Sequence, residues 1–200
     1  MTPGYRLGVV DLGSNTSTLA LYQVGLDGFV DRIHQRGEPL RLIRQLGGDR
    51  LFPIAAMDRV VQLVRGFVRT GKEWGVEQLL VVATAAVRDA RNGHDLLERL
   101  RGEGCLVQLL SAEEEGLGAV TAAVNTLPVE RGYLFDLGGG SIQIALFEDR
   151  KVLRAASLPL GALRLSDQFL SADPPTGPQI TALRRHVDAA LKDVPWFQAG

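Results

Sequence analysis

The chain contains one short corner twice. Asp11-Leu12-Gly13-Ser14-Asn15-Thr16-Ser17-Thr18-Leu19-Ala20-Leu21-Tyr22 is matched by Asp136-Leu137-Gly138-Gly139-Gly140-Ser141-Ile142-Gln143-Ile144-Ala145-Leu146-Phe147, and five of the twelve positions are identical. In each copy an apolar run ends on Asp, breaks at a turn of small residues and resumes as a second apolar run, the pattern of a strand-turn-strand corner. Two such corners in matching places predict an internal duplication and a two-lobed molecule, with both turns on a cleft between the lobes. A length of 200 residues is enough to close a core in each of two small lobes.

The flanking segments repeat as well. Residues 6–10, 18–24 and about 29–36 form a three-strand meander, its second connection being Gly25-Leu26-Asp27-Gly28. Pro53 then opens a helix to about residue 70, with Met57, Val60, Val61, Val64 and Val68 recurring on one face. Residues 78–83 read as a buried strand running into a loop. Asn92 is placed to cap a helix whose Leu96, Leu97 and Leu100 face inward, and 106–110 is the next strand. Ser111 and Glu114 have capping-box spacing at the head of a helix reaching about residue 124. A second meander follows at 133–137, 142–147 and 152–157, with helices at 162–169 and 178–191. The expected fold is α/β, with a mixed sheet that opens as an antiparallel meander and continues as parallel β/α units. The lobes are expected at 1–125 and 126–200.

The corners carry the chemistry. Glycine lets backbone N–H groups approach an anion closely, and Ser or Thr hydroxyls add donors. Gly13, Ser14 and Asn15 in the first turn, with Gly138, Gly139, Gly140 and Ser141 in the second, are therefore candidate phosphate binders. An Asp just before such a turn repels bare phosphate and makes sense beside hydrated Mg²⁺, a cation that prefers carboxylate oxygen. Asp11 and Asp136 are the metal candidates. For either turn alone a tight hairpin capped by its Asp explains the residues as well; the pair points to phosphate.

Charge and composition remove other classes. Twenty-two basic and 23 acidic side chains leave a formal charge of -1, which argues against a nucleic-acid polymer held on a basic face. No apolar run approaches the roughly 20 residues that span a bilayer. Cys105 alone cannot form an intrachain disulfide, and residues 1–6 lack the pattern of a signal peptide, so a cytoplasmic setting is expected. His34, His94 and His186 are isolated, without zinc-ligand spacing.

The residues resemble the exopolyphosphatase/guanosine pentaphosphate phosphohydrolase (Ppx/GppA) family of the actin, Hsp70 and sugar kinase superfamily. Besides the two turns, the resemblance rests on Ala83-Thr84-Ala85-Ala86-Val87-Arg88-Asp89-Ala90, on Leu110-Ser111-Ala112-Glu113-Glu114-Glu115, and on Ser157-Leu158-Pro159-Leu160-Gly161-Ala162-Leu163-Arg164-Leu165. It implies ribonuclease H-like (actin-like ATPase) lobes and Mg²⁺-dependent release of terminal phosphate from inorganic polyphosphate or guanosine pentaphosphate. By the same resemblance Glu115 falls on the catalytic base and Arg88 on a position of the phosphate site. Of the acidic run, Glu113 is expected to complement the helix dipole and Glu114 to close the capping box. A homodimer is left open.

Two departures from the family pattern matter. Family members usually carry Glu at the position of Gln143, so the metal set Asp11, Asp136 and Gln143 has one charge fewer. The family core is also longer, so the second lobe is expected to be incomplete, with an open sheet edge. These departures keep a second reading alive, a phosphate- or nucleotide-binding protein without turnover. A sugar kinase or chaperone-like ATPase is disfavoured by the acidic helix start.

Overall fold

The computed structural model describes residues 4–76 and 78–197. The first and last three residues, on which the expectations about the chain's ends partly rest, lie outside the described residues. The chain divides into two compact units, Met1–Leu110 and Ser111–Gly200.

The first unit opens with β1 (Gly4–Leu12), β2 (Thr16–Gly25) and β3 (Val30–Pro39), an antiparallel meander as the sequence predicts. Two further strands, β4 (Leu79–Ala83) and β5 (Leu106–Leu109), join parallel to β1, giving a five-stranded mixed sheet in the order β3-β2-β1-β4-β5. Alternation along β1 sends Val10 and Leu12 into the core, where they meet Leu19, Leu21 and Val81. Helices α2 (Ile54–Glu73) and α4 (Gly93–Gly102) add Met57, Val60, Val64, Leu96 and Leu100, among others. The periodic residues Met57, Val60, Val61 and Val64 are buried as expected, but Phe67 is fully buried where the spacing nominated Val68, which packs at the margin. Each large side chain so buried contributes about 1.5–3 kcal/mol.

Two short helices were not predicted: α1 (Leu42–Gln45) after the meander, and α3 (Ala85–Asp89) where a loop was expected after β4. Asn92 makes no side-chain cap bond to α4. Its amide instead pairs with the backbone of Phe52, accepting from the N–H at 2.9 Å and donating to the carbonyl at 3.0 Å, which ties the start of α4 to the chain entering α2.

The second unit begins with α5 (Ala112–Thr126), followed by the meander β6 (Arg131–Leu137), β7 (Ile142–Glu148) and β8 (Lys151–Leu158), then α6 (Ala162–Phe169) and α7 (Gly177–Leu191). The contacts divide the chain between Leu110 and Ser111, earlier than the expected 125/126 boundary, because α5 packs on the sheet that follows it. Its Val120 and Val124 lie on Ala145 and Phe147 of β7. The opposite face of the sheet, with Ile144 and Leu158, is covered by Val187 and Leu191 of α7. In the order β6-β7-β8, β6 pairs with β7 alone among the described residues, whereas β1 also has β4 at its side. Tyr133, Phe135 and Leu137 of β6 are exposed.

Candidate functional site

Both corners form as turns between paired strands, and one hydrogen-bond pattern orients them. In the first unit the carbonyl of Asn15 accepts the N–H groups of Leu40 at 2.9 Å and Arg41 at 2.7 Å, and the carbonyl of Ser14 accepts that of Ile43 at 3.1 Å. Leu40 and Arg41 lie on the chain entering α1, and Ile43 lies in its first turn. In the second unit the carbonyl of Gly138 accepts from Ala162 at 2.9 Å, and that of Gly139 accepts from Leu163 at 3.0 Å and Arg164 at 3.1 Å. Here the donors are the first turn of α6, and the Arg164 guanidinium adds a bond from Nε to the Gly140 carbonyl at 2.9 Å.

In both units, therefore, the segment that follows the third strand takes the carbonyls of the turn, through the chain entering α1 and its first turn in one and through the first turn of α6 in the other. The N–H groups of Ser14, Asn15, Gly139 and Gly140 have no protein acceptor among the described residues. A turn fixed with its carbonyls inward and its amides unclaimed suits an anion. Glycine is needed at Gly13, where a Cβ would stand 2.8 Å from the Thr16 carbonyl oxygen.

Around the first turn, the parallel strands gather further groups. Asp11 lies across from Val82 and Leu12 from Ala83, so the C-terminal ends of β1 and β4 coincide. Thr84 follows, half-buried, with its hydroxyl 3.5 Å from the Leu12 carbonyl. Arg88 on α3 donates from Nη1 to the Leu110 carbonyl at 2.8 Å, and Leu110 returns its N–H to Ala83 at 2.9 Å. This is the sheet edge where open α/β folds bind ligands. Of the expected residues, Asp11, Gly13, Ser14, Asn15 and Arg88 stand on it. Thr84 stands there too, within the block that carries the resemblance.

The second unit brings Asp136, Gln143 and the head of α5 to one face of its sheet. Asp136 is paired across the ladder with Gln143, and Gln143 alternates with Ala145 beneath α5. Gln143 is 2% exposed, and its Nε2 donates to the hydroxyls of Ser141 at 2.9 Å and Ser157 at 3.3 Å. The residue thus braces a hydroxyl of the turn. Ser111 and Glu114 close the expected capping box: the Glu114 N–H donates to Ser111 Oγ at 3.1 Å, and the Ser111 N–H donates to Glu114 Oε2 at 2.7 Å. Glu115, in the next position, is half-buried. Gly116 follows because the helix passes so close to β8 that a Cβ there would lie 3.0 Å from Cβ of Ala155.

No group of three or more His, Cys, Asp or Glu side chains is gathered among the described residues. Asp11 in the first unit and Asp136 in the second are each a carboxylate of the kind that Mg²⁺ takes alongside waters and substrate phosphate. Gln143 brings no charge to such an ion. A groove of about 730 Å³ in the first unit is lined by Gly4, Tyr5, Leu80 and Leu106, at the opposite end of β1 from Asp11. No helix among the described residues is long and apolar enough to cross a membrane.

Residues 24–198 match the sequence profile of the Ppx/GppA phosphatase family. Exopolyphosphatase 1 of Mycobacterium bovis is 32% identical over 191 residues, covering 94% of this chain and 56% of that protein. The chain thus spans little more than half the length of that relative. The crystal structure of the Aquifex aeolicus Ppx/GppA family member superposes with a TM-score of 0.78 at 29% identity, over 96% of this chain and 63% of that one. An exopolyphosphatase from Cytophaga hutchinsonii shares the fold, with a TM-score of 0.83 at 24% identity, over 95% of this chain and 62% of that one.

Proposed function

The chain belongs to the Ppx/GppA phosphatase family, and from that premise we propose that it hydrolyses the terminal phosphoanhydride of inorganic polyphosphate. The observation that carries this reading is the repeated hydrogen-bond pattern in which the segment after the third strand claims the carbonyls of each turn and leaves its amides to an anion. The name of the Mycobacterium bovis relative supports polyphosphate as the substrate.

In this reading the amides of Ser14 and Asn15, and those of Gly139 and Gly140 with the Ser141 hydroxyl, bind phosphate oxygens. Glu115 takes a proton from the attacking water as its oxygen bonds to the terminal phosphorus. The bridging P–O bond breaks, orthophosphate departs, and the polymer is left one unit shorter. Arg88 offsets charge near the scissile group. Asp11 and Asp136 are the residues that would hold Mg²⁺, which when bound supplies neutralisation of the phosphate charge. Phosphoryl transfer depends chiefly on such positioning and charge compensation, with one group to orient or deprotonate water.

Phosphate release from polyphosphate and from guanosine pentaphosphate, each with and without Mg²⁺, tests the proposal. Release from polyphosphate that requires Mg²⁺ supports it. Release from guanosine pentaphosphate alone transfers the activity to that substrate. Protection of the fold by phosphate without turnover points to a binding protein.

A further inference from the structure

Arg41 sits at φ 50 and ψ 47, in the left-handed region that favours glycine. The hydrogen bonds around it hold it there: its N–H and that of Leu40 both donate to the Asn15 carbonyl, and its own carbonyl receives the Arg44 N–H at 3.0 Å. Elsewhere the left-handed positions Gly28, Gly75 and Gly104 are glycine, Asp149 and Arg150 form the tip between β7 and β8, and Arg50, at φ 60, directs its guanidinium to the Asp89 carboxylate at 3.8 Å. The fold therefore asks for glycine beside the first turn, and the sequence has its largest cation there.

The guanidinium does nothing evident for the fold. Arg41 is exposed, and its side chain makes no hydrogen bond or ion pair among the described residues. Arg36, Arg65 and Arg99, by contrast, are each paired with a carboxylate. Strain that persists next to a binding turn, in a residue whose charge is uncommitted, directs attention to a ligand. We infer that Arg41 is a substrate-binding residue, whose guanidinium holds the phosphate linked to the one seated on the Ser14 and Asn15 amides. The ligand class is a linear oligophosphate with at least two joined phosphates, matched by a planar donor fork. The inference rests on the phosphate reading of the turn and deepens it.

The test compares wild type, Arg41→Gly, Arg41→Asn and Arg41→Lys by calorimetric binding of orthophosphate and tripolyphosphate with Mg²⁺, together with melting temperature. Glycine and asparagine both accept the left-handed backbone, so neither variant is expected to melt below wild type. Both should weaken tripolyphosphate binding roughly ten- to a hundredfold, the range for a lost charge-assisted bond, with orthophosphate affinity close to wild type. Arg41→Lys should fall between. Tripolyphosphate affinity equal to wild type in Arg41→Gly or Arg41→Asn overturns the inference, as does an equal loss for both ligands. If wild type binds neither ligand, the phosphate reading itself fails and the inference goes with it.

Discussion

Gly161 rests on the backbone of the second turn: a Cβ built on it would lie 2.3 Å from the carbonyl carbon of Gly140 and 2.4 Å from that of Gly139. Its own backbone is ordinary, at φ -69 and ψ 150. Glycine is required there for space, so that the first turn of α6 can reach the carbonyls of Gly138 and Gly139. The support of the turn and its amide orientation are thus one arrangement.

Gly161→Ala should therefore act on the turn. Overpacking of this kind costs about 1–3 kcal/mol, and the only relief is to move α6 away from the glycines. Urea denaturation should show that loss, and phosphate affinity should fall with it. An alanine variant that binds phosphate like wild type would separate α6 from turn orientation.

Replacing Gln143 by Leu removes the amide that donates to the Ser141 and Ser157 hydroxyls in a nearly dry site. The cost should be about 1–3 kcal/mol, the price of leaving buried polar groups unsatisfied. Phosphate binding should weaken, since Ser141 loses its brace. A thermal melt and a phosphate titration on the same sample check both effects.

Ser111→Ala deletes one half of the capping box, leaving the Glu114 N–H without its acceptor. Stability should drop by about 0.5–2 kcal/mol. Because the cap lies one turn from Glu115 rather than on it, the Mg²⁺ requirement for turnover should persist. Denaturation and phosphate-release assays on the variant measure the two consequences separately.

The Arg65–Glu103 pair, with Nε to Oε2 at 2.6 Å, holds the Glu103 carboxyl below its ordinary range, chiefly through that hydrogen bond. A lowered folded-state value means the contribution is present above the ordinary carboxylate range and is lost as pH falls through the lowered one. Acid titration of stability should show a small loss that Arg65→Met removes. The effect is small because the pair is solvent-exposed, and added salt should shrink it further.

The parts of this arrangement that were legible in the sequence are those governed by local chemistry. The Asp-led corners, the Ser111–Glu114 box and the span of α6 follow from turn residues, cap spacing and periodicity. What sequence could not supply was the choice of partner. The apolar stripe of α5, with Val120 and Val124, is satisfied by either sheet, and its packing on β7 decides the boundary at Leu110. Helix α1 is too short for a periodic signal, yet its entry residues Leu40 and Arg41 orient the first turn. Asn92 had a capping residue's identity and found a better pair of bonds at Phe52. Gly161 and Arg164 lay inside a block that carried the resemblance, but their purpose appears only when α6 meets the glycines.

The most direct measurement is single-turnover phosphate release from polyphosphate in the presence of Mg²⁺, comparing wild type with Glu115→Gln at matched tripolyphosphate affinity. Loss of a general base predicts a rate lower by about 10²–10⁴-fold, with binding and melting temperature unchanged. Equal rates in the two proteins would contradict Glu115 as the group that activates water, and with it the mechanism proposed for this chain.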